Sequence, residues 1–445
     1  MYPHSTFRTL LCGLSLICCL TVVMMIATPR SATAQDVPDV AAAVIGANPQ
    51  IVPACSTQNG ADMCIFQGPA NNTSEIKIGS GNGFLWYGND SANAIVHSTT
   101  AGVTKTCPTL KTSGASPFGI VLGPDKRMWF TEFNGGSIGA VTKSCGVTEY
   151  PLNIGAPADA IDIIVGADNN LWFTTDFNGI GTSTTAGVVS FIPLPDNASQ
   201  PTSIALGSDG NVWFLEANGP CFQGQNYTSI GNVSPQGVVK EYNVKLHGNG
   251  FGIAGGPDGR IWFADPGGCD GFASRIGAIK TNGTGLKYYT KNLPPLVDTI
   301  INGGDGNLYF GTFTSQIGRI TTTGVATTWN LPSSPAFPVL GMTIGPDSNI
   351  WFADNSGDFI GALYIRPVIS SFTPASGPVG TEVTINGYGF TGSTAVEFDG
   401  VKATSFSVIS GFQITAKVPT GAKTGKITVT NKGGVATSTK AFTVN

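Results

Sequence analysis

The chain has 445 residues, room for two or more domains, and a formal net charge of -4. Only 11% of its residues are charged, while glycine alone supplies 60, against an ordinary charged share of about 25%. A turn-rich, slightly acidic, sparsely charged chain excludes a nucleic-acid partner held through its phosphates and suits an exported all-β protein.

Residues 1–34 read as an export signal. Arg8 supplies the positive end, Leu10–Ala27 is apolar, and Ala32-Thr33-Ala34 forms a small-residue cleavage pattern before Gln35. The mature chain is then secreted, periplasmic or cell-surface, with no membrane span left. The apolar run is long for a signal, so an uncleaved anchor is the alternative. Six cysteines follow: Cys55, Cys64, Cys107, Cys145, Cys221 and Cys269. An even number in an exported chain predicts disulfides. Residues 35–62 are a lead-in segment without a clear pattern.

From there a motif of a Gly-x-Asp turn followed by Trp-Phe recurs with variation. Its anchoring aromatics are Trp86, Trp129, Trp172, Trp213, Trp262, Tyr309 and Trp351, spaced 41 to 49 residues apart. A period in the forties with four short strand-like pieces predicts a seven-bladed β-propeller over residues 63–365. Each unit runs from an apolar strand through the GPDG-type turn to the Trp-Phe strand. An Ile-Gly strand and an aromatic-bearing outer strand complete it. Outer aromatics precede the next anchor by 20 to 22 residues, as Tyr150 precedes Trp172. Counting back from Trp86 reaches Cys64, so Met63–Gln67 is expected to supply the outer strand missing from the last unit and close the ring. The period stops at Arg366. Residues 367–445 alternate as short strands and predict a small β-sandwich. Charge follows this division: residues 35–365 carry roughly ten net negative charges and residues 366–445 about four net positive.

The repeats, with GPDGRIWFAD at Gly256–Asp265 and Arg275-Ile276-Gly277 after it, resemble the streptogramin B (virginiamycin B) lyase family of seven-bladed propellers. The tail, with Pro374–Pro378, Gly380-Thr381 and Gly387–Phe390, resembles an immunoglobulin-like IPT/TIG domain. The first resemblance implies opening of a cyclic depsipeptide by elimination, with a histidine base and carboxylate-held magnesium in the last blades. This chain has only His4, His97 and His247, none of them beyond residue 247. No catalytic residue is therefore carried over, and the leading expectation is a non-catalytic binding module for a small molecule, glycan or protein. The alternatives are a metal-dependent C–O lyase and a gluconolactonase-like hydrolase.

A site is expected on the face away from the GPDG turns. Three residues after the anchors stand Asn89, Glu132, Thr175, Glu216, Asp265, Thr312 and Asp354. Glu132, Glu216, Asp265 and Asp354 are ligand-binding candidates, and Glu216 with Asp265 the pair for a divalent ion, Mg or Ca. Loop capping is the plainer role for all seven. The loops of the fourth and fifth units are enlarged and carry Cys221 and Cys269 at nearly the same place, which predicts a Cys221–Cys269 disulfide. Cys107–Cys145 and Cys55–Cys64 are the remaining pairs. His247, Asp270 and Arg275 complete a cluster near these loops, with His247 the one candidate for catalysis. The six turn aspartates, Asp125 to Asp347, are assigned to turn chemistry.

Overall fold

The computed structural model describes residues 54–445 except 59–60, 68–76, 154–158, 196–199, 218–228, 249, 268–272, 333–338 and 355–358. Among these, seven antiparallel sheets account for the repeats. Each blade is a meander in chain order, as in blade 3: Ala160–Val165, Leu171–Thr175, Gly179–Ser183 and Val189–Pro193. Blade 7 is discontinuous in sequence. Val339–Ile344, Ile350–Asp354 and Phe359–Leu363 are joined by Ala61–Gln67, with Met63 opposite Leu363 and Gln67 opposite Phe359. That pairing closes the ring, and Ala54–Gln58 adds a fifth strand outside it, within the stretch read from sequence as patternless lead-in.

The repeated motif is a packing device. A buried indole N–H must find an acceptor, and the turn supplies one: Trp129, Trp172, Trp213, Trp262 and Trp351 donate to Asp125, Asp168, Asp209, Asp258 and Asp347 at 2.8–3.2 Å. The Tyr309 hydroxyl donates to Asp305 at 2.9 Å, and Trp86, whose turn has no aspartate, donates to the Gly81 carbonyl. Two glycines per blade make room in blades 2 to 7. A Cβ on Gly256 would lie 2.4 Å from the Trp262 ring, and one on Gly277 would lie 2.2 Å from the Phe263 ring. The anchors and their following phenylalanines are buried and form the clusters that join neighbouring blades.

Arginines reinforce two of these joints. Arg260 pairs with Asp258 at 2.7 Å, stacks 4.6 Å over Trp262, and donates to Tyr289 and to the Thr322 carbonyl of blade 6. Arg127 does the same between blades 2 and 3, through Asp125, Trp129, Tyr150 and Thr185.

Residues 367–445 fold as two sheets, one of four strands and one of five, around a core that includes Val383, Ile385, Val396, Ile414, Ile427 and Phe442. The sandwich is tied to blade 7. Asn431 donates to the Ile365 and Gly389 carbonyls at 3.0 and 2.7 Å, and Thr391 bonds Ser348 in the blade-7 turn. It therefore contacts the turn side of the propeller and leaves the opposite end of the central channel to the inter-strand loops. Among the described residues no helix is long and apolar enough to cross a membrane.

Asp258→Ala removes the acceptor of Trp262 and the partner of Arg260 together. We expect a loss of about 2 kcal/mol in unfolding free energy by urea titration. An exposed control such as Asp399→Ala, in the sandwich, should leave the propeller transition unmoved.

Candidate functional site

The inner strands of all seven blades line one central cavity of about 300 Å³. Nine residues before the anchors of blades 2–7 stand Ile120, Ile163, Ile204, Ile253, Ile300 and Met342, an apolar girdle on its wall. The same position in blade 1 is Lys77. One residue earlier the chain has Gly119, Asp162, Ser203, Gly252, Thr299 and Gly341. All but Gly252 sit at or beside register breaks, which fall between Pro117 and Ile120, Ala160 and Ile163, Pro201 and Ser203, Val297 and Thr299, and Val339 and Gly341. Such bulges re-aim side chains beside functional sites.

Threonines brace the bulges from blade to blade. The Thr131 hydroxyl accepts the Gly119 amide and donates to the Ile161 carbonyl at 2.7 Å. Thr174 accepts the Asp162 amide, and Thr202 donates to the Gly250 carbonyl. Within this frame Lys77 Nζ lies 2.5 Å from Asp162 Oδ2 and 3.4 Å from Ser203 Oγ. The Ser203 hydroxyl and the Ile204 amide also donate to Asp162 Oδ2, and the Ile163 amide donates to Oδ1. The ammonium and carboxylate are thus held across the channel, from blade 1 to blade 3.

Asp298, in the blade-6 bulge, is fully buried, and neither carboxyl oxygen has a hydrogen-bond partner of ordinary geometry. Burial pushes its pKa up to about 7, while the charge of Lys77 and the Phe251 amide pull the other way. Glu132 is also raised, up to about 7, through burial and then the nearby charge of Glu149.

The residues expected from the sequence fall into a different pattern. Asn89 caps its own loop by accepting the Ala92 amide, and Thr175 and Thr312 bond carbonyls two to four residues on. Asp265 is fully buried. Its oxygens accept the His247 and Gly267 amides, and Arg275 Nε stands 2.6 Å away. Arg275 also donates to the Lys245 carbonyl and stacks 3.7 Å from the Tyr288 ring. Asp265 and Arg275 therefore anchor the connection between blades 4 and 5. A carboxylate already paired with a guanidinium and two backbone amides does not fit a divalent ion. His247 is brought to Asp265 through its backbone; its imidazole is half-buried, with a pKa lowered by burial and then by Arg275, against Asp265. Glu132 and Glu216 are buried at the loop ends of their strands, opposite Pro117 and Pro201. Asp354 stands opposite Val339, and its side chain lies outside the described residues. So do Asp270, Cys221 and Cys269.

Cys107 and Cys145 are bonded, with Cα atoms 5.1 Å apart. Cys64 is disulfide-bonded and stands opposite Cys55 in the strand register. Lys77, Asp162, Ser203 and Asp298 were not singled out from the sequence. The signal was there: an aspartate inside Ala-Ile-Asp-Ile-Ile-Val at 160–165, and another inside Val-Asp-Thr-Ile-Ile at 297–301, both otherwise apolar inner strands.

A closed ring of seven antiparallel blades with a two-sheet appendage defines a seven-bladed β-propeller carrying an immunoglobulin-like sandwich. The chain belongs to the virginiamycin B lyase family, which matches residues 54–221 and 220–379; residues 367–444 match the IPT/TIG domain. Among solved structures it is similar to a streptogramin B lyase, with 29% identity and TM-score 0.59 over 68% of this chain and 97% of that one. It is also similar to virginiamycin B lyase from Staphylococcus aureus, at 26% identity and TM-score 0.60 over 68% and 98%. A catalytically inactive His-to-Ala variant of the S. aureus enzyme with quinupristin aligns at 26% identity and TM-score 0.58 over 68% and 99%. No curated protein matches the chain.

The raised carboxyls give a pH signature. A carboxyl raised in the folded state costs stability once the unfolded chain ionises. Stability therefore falls from about pH 4 to about pH 7 and levels above that, where both states are ionised. Asp298→Asn should gain stability relative to wild type across this window and keep a constant advantage above it, in denaturant titrations run at several pH values. A difference independent of pH would contradict the raised pKa.

Proposed function

We propose that the protein is an exported, non-catalytic binding propeller that holds a small molecule at the loop end of its central channel. The observation that carries this is the Lys77–Asp162–Ser203 cluster, a charged group set into an otherwise apolar girdle and fixed by bonds from two blades. The ammonium suits a carbonyl or other acceptor on the ligand, and the isoleucine girdle suits an apolar flank. Polar groups recessed in the channel favour a small molecule over a glycan or protein on the rim. The quinupristin complex of the S. aureus relative makes a cyclic depsipeptide the first ligand class to try. Export is supported by the signal-like residues 1–34 and by the Cys107–Cys145 disulfide. The non-catalytic reading rests on the sequence, which has no histidine beyond residue 247, whereas the relative is inactivated by loss of one.

A second reading, elimination, draws on Asp298, whose pKa of about 7 beside Lys77 is that of a general base near neutral pH. One experiment separates the two. Quinupristin is added to the mature chain, binding is followed by calorimetry, and the ligand is recovered for mass spectrometry. We expect binding, weakened at least tenfold in Lys77→Ala, and intact cyclic ligand. Ring-opened product, lost in Asp298→Asn, would replace the binding reading with the lyase one. No binding would remove the depsipeptide as ligand class.

A further inference from the structure

The Cys107–Cys145 bridge has a third neighbour. His97, in the third strand of blade 1 (Ala94–Ser98), brings an imidazole nitrogen to the two sulfurs, and the three atoms lie within 4.8 Å of one another. All three residues are buried. His97 is 7% exposed, and neither of its ring nitrogens has a hydrogen-bond partner, the usual requirement for a buried polar side chain. Its ring is packed 4.7 Å from Trp86 and 4.6 Å from Phe84, which fix its plane without satisfying its nitrogens.

We propose that His97, Cys107 and Cys145 form a latent zinc-class metal site, closed while the disulfide is intact and opened by its reduction. Two thiolates and an imidazole are a common three-ligand set for zinc, with ligand atoms about 3.5–4 Å apart around the ion and a fourth position left for water. The chemistry balances. A dithiol reductant gives two electrons and two protons to the bridge and is itself oxidised to a disulfide; the ion then displaces both thiol protons. The intact bridge engages both sulfurs, so the site does not compete with the structural role of the disulfide in an oxidising compartment.

The test uses the full mature chain, with Co(II) as the probe and no other ligand. Protein reduced with a dithiol and then freed of it by desalting is expected to bind one equivalent with a thiolate-to-cobalt charge-transfer band and a change in tryptophan fluorescence. Both signals should be absent from the oxidised protein. They should weaken at least tenfold in reduced His97→Ala, a variant that keeps all six cysteines of the mature chain. Near-UV circular dichroism checks that reduction leaves the fold intact. Equal binding before and after reduction, binding indifferent to His97, or loss of the near-UV signal on reduction would each overturn the proposal.

Discussion

The propeller depends on one constraint, the need of a buried indole N–H for an acceptor. Every blade drives a large aromatic into the interface with its neighbour, and five tryptophans find a carboxylate four residues upstream. That spacing fixes the turn between the first two strands, and the turn fixes which end of the inner strand faces the sandwich. Both motif glycines follow from the same packing, because a side chain at either would overlap a ring. Gly-x-Asp, Trp-Phe and Ile-Gly are thus one interaction written three times along blades 2 to 5 and 7, with Tyr309 taking the tryptophan's place in blade 6.

Because the aromatics occupy the space between blades, the centre is left to the inner strands. There the girdle of isoleucines excludes charge, and a single lysine in the same register must be compensated. Asp162 compensates it from blade 3, and the bulge that turns Asp162 inward is braced by Thr174. Asp298 is the opposite case, a fully buried carboxyl whose burial outweighs the pull of Lys77 and of the Phe251 amide and raises its pKa to about 7. The charged centre of the molecule lies in the channel. At the rim, Asp265 and Arg275 satisfy one another and pin the blade 4–5 connection.

The sequence made the blades legible because their packing repeats: seven anchors, a closing strand near Met63–Gln67 and a change of period at Arg366 all follow from spacing. The channel was hidden because it does not repeat. Lys77 and Asp162 share the spacing of their columns but break the residue type found there, and Asp298 falls one position off its column at a bulge, so the repeat pattern alone does not mark them. The ring three residues after each anchor is regular. In Asn89, Thr175, Asp265 and Thr312 that regularity reflects the repeated need to cap a loop or fix a connection. Fold-level likeness to the lyases carries the architecture, while the chemistry rests on residues that differ from blade to blade.

The most direct test of this account is a crystal structure of the mature chain grown with quinupristin. The account predicts ligand density at the loop end of the central channel, with an acceptor within hydrogen-bond distance of Lys77 Nζ and the ring intact. Density over the blade 4–5 connection at His247 and Arg275, with the channel cluster unchanged, would contradict it.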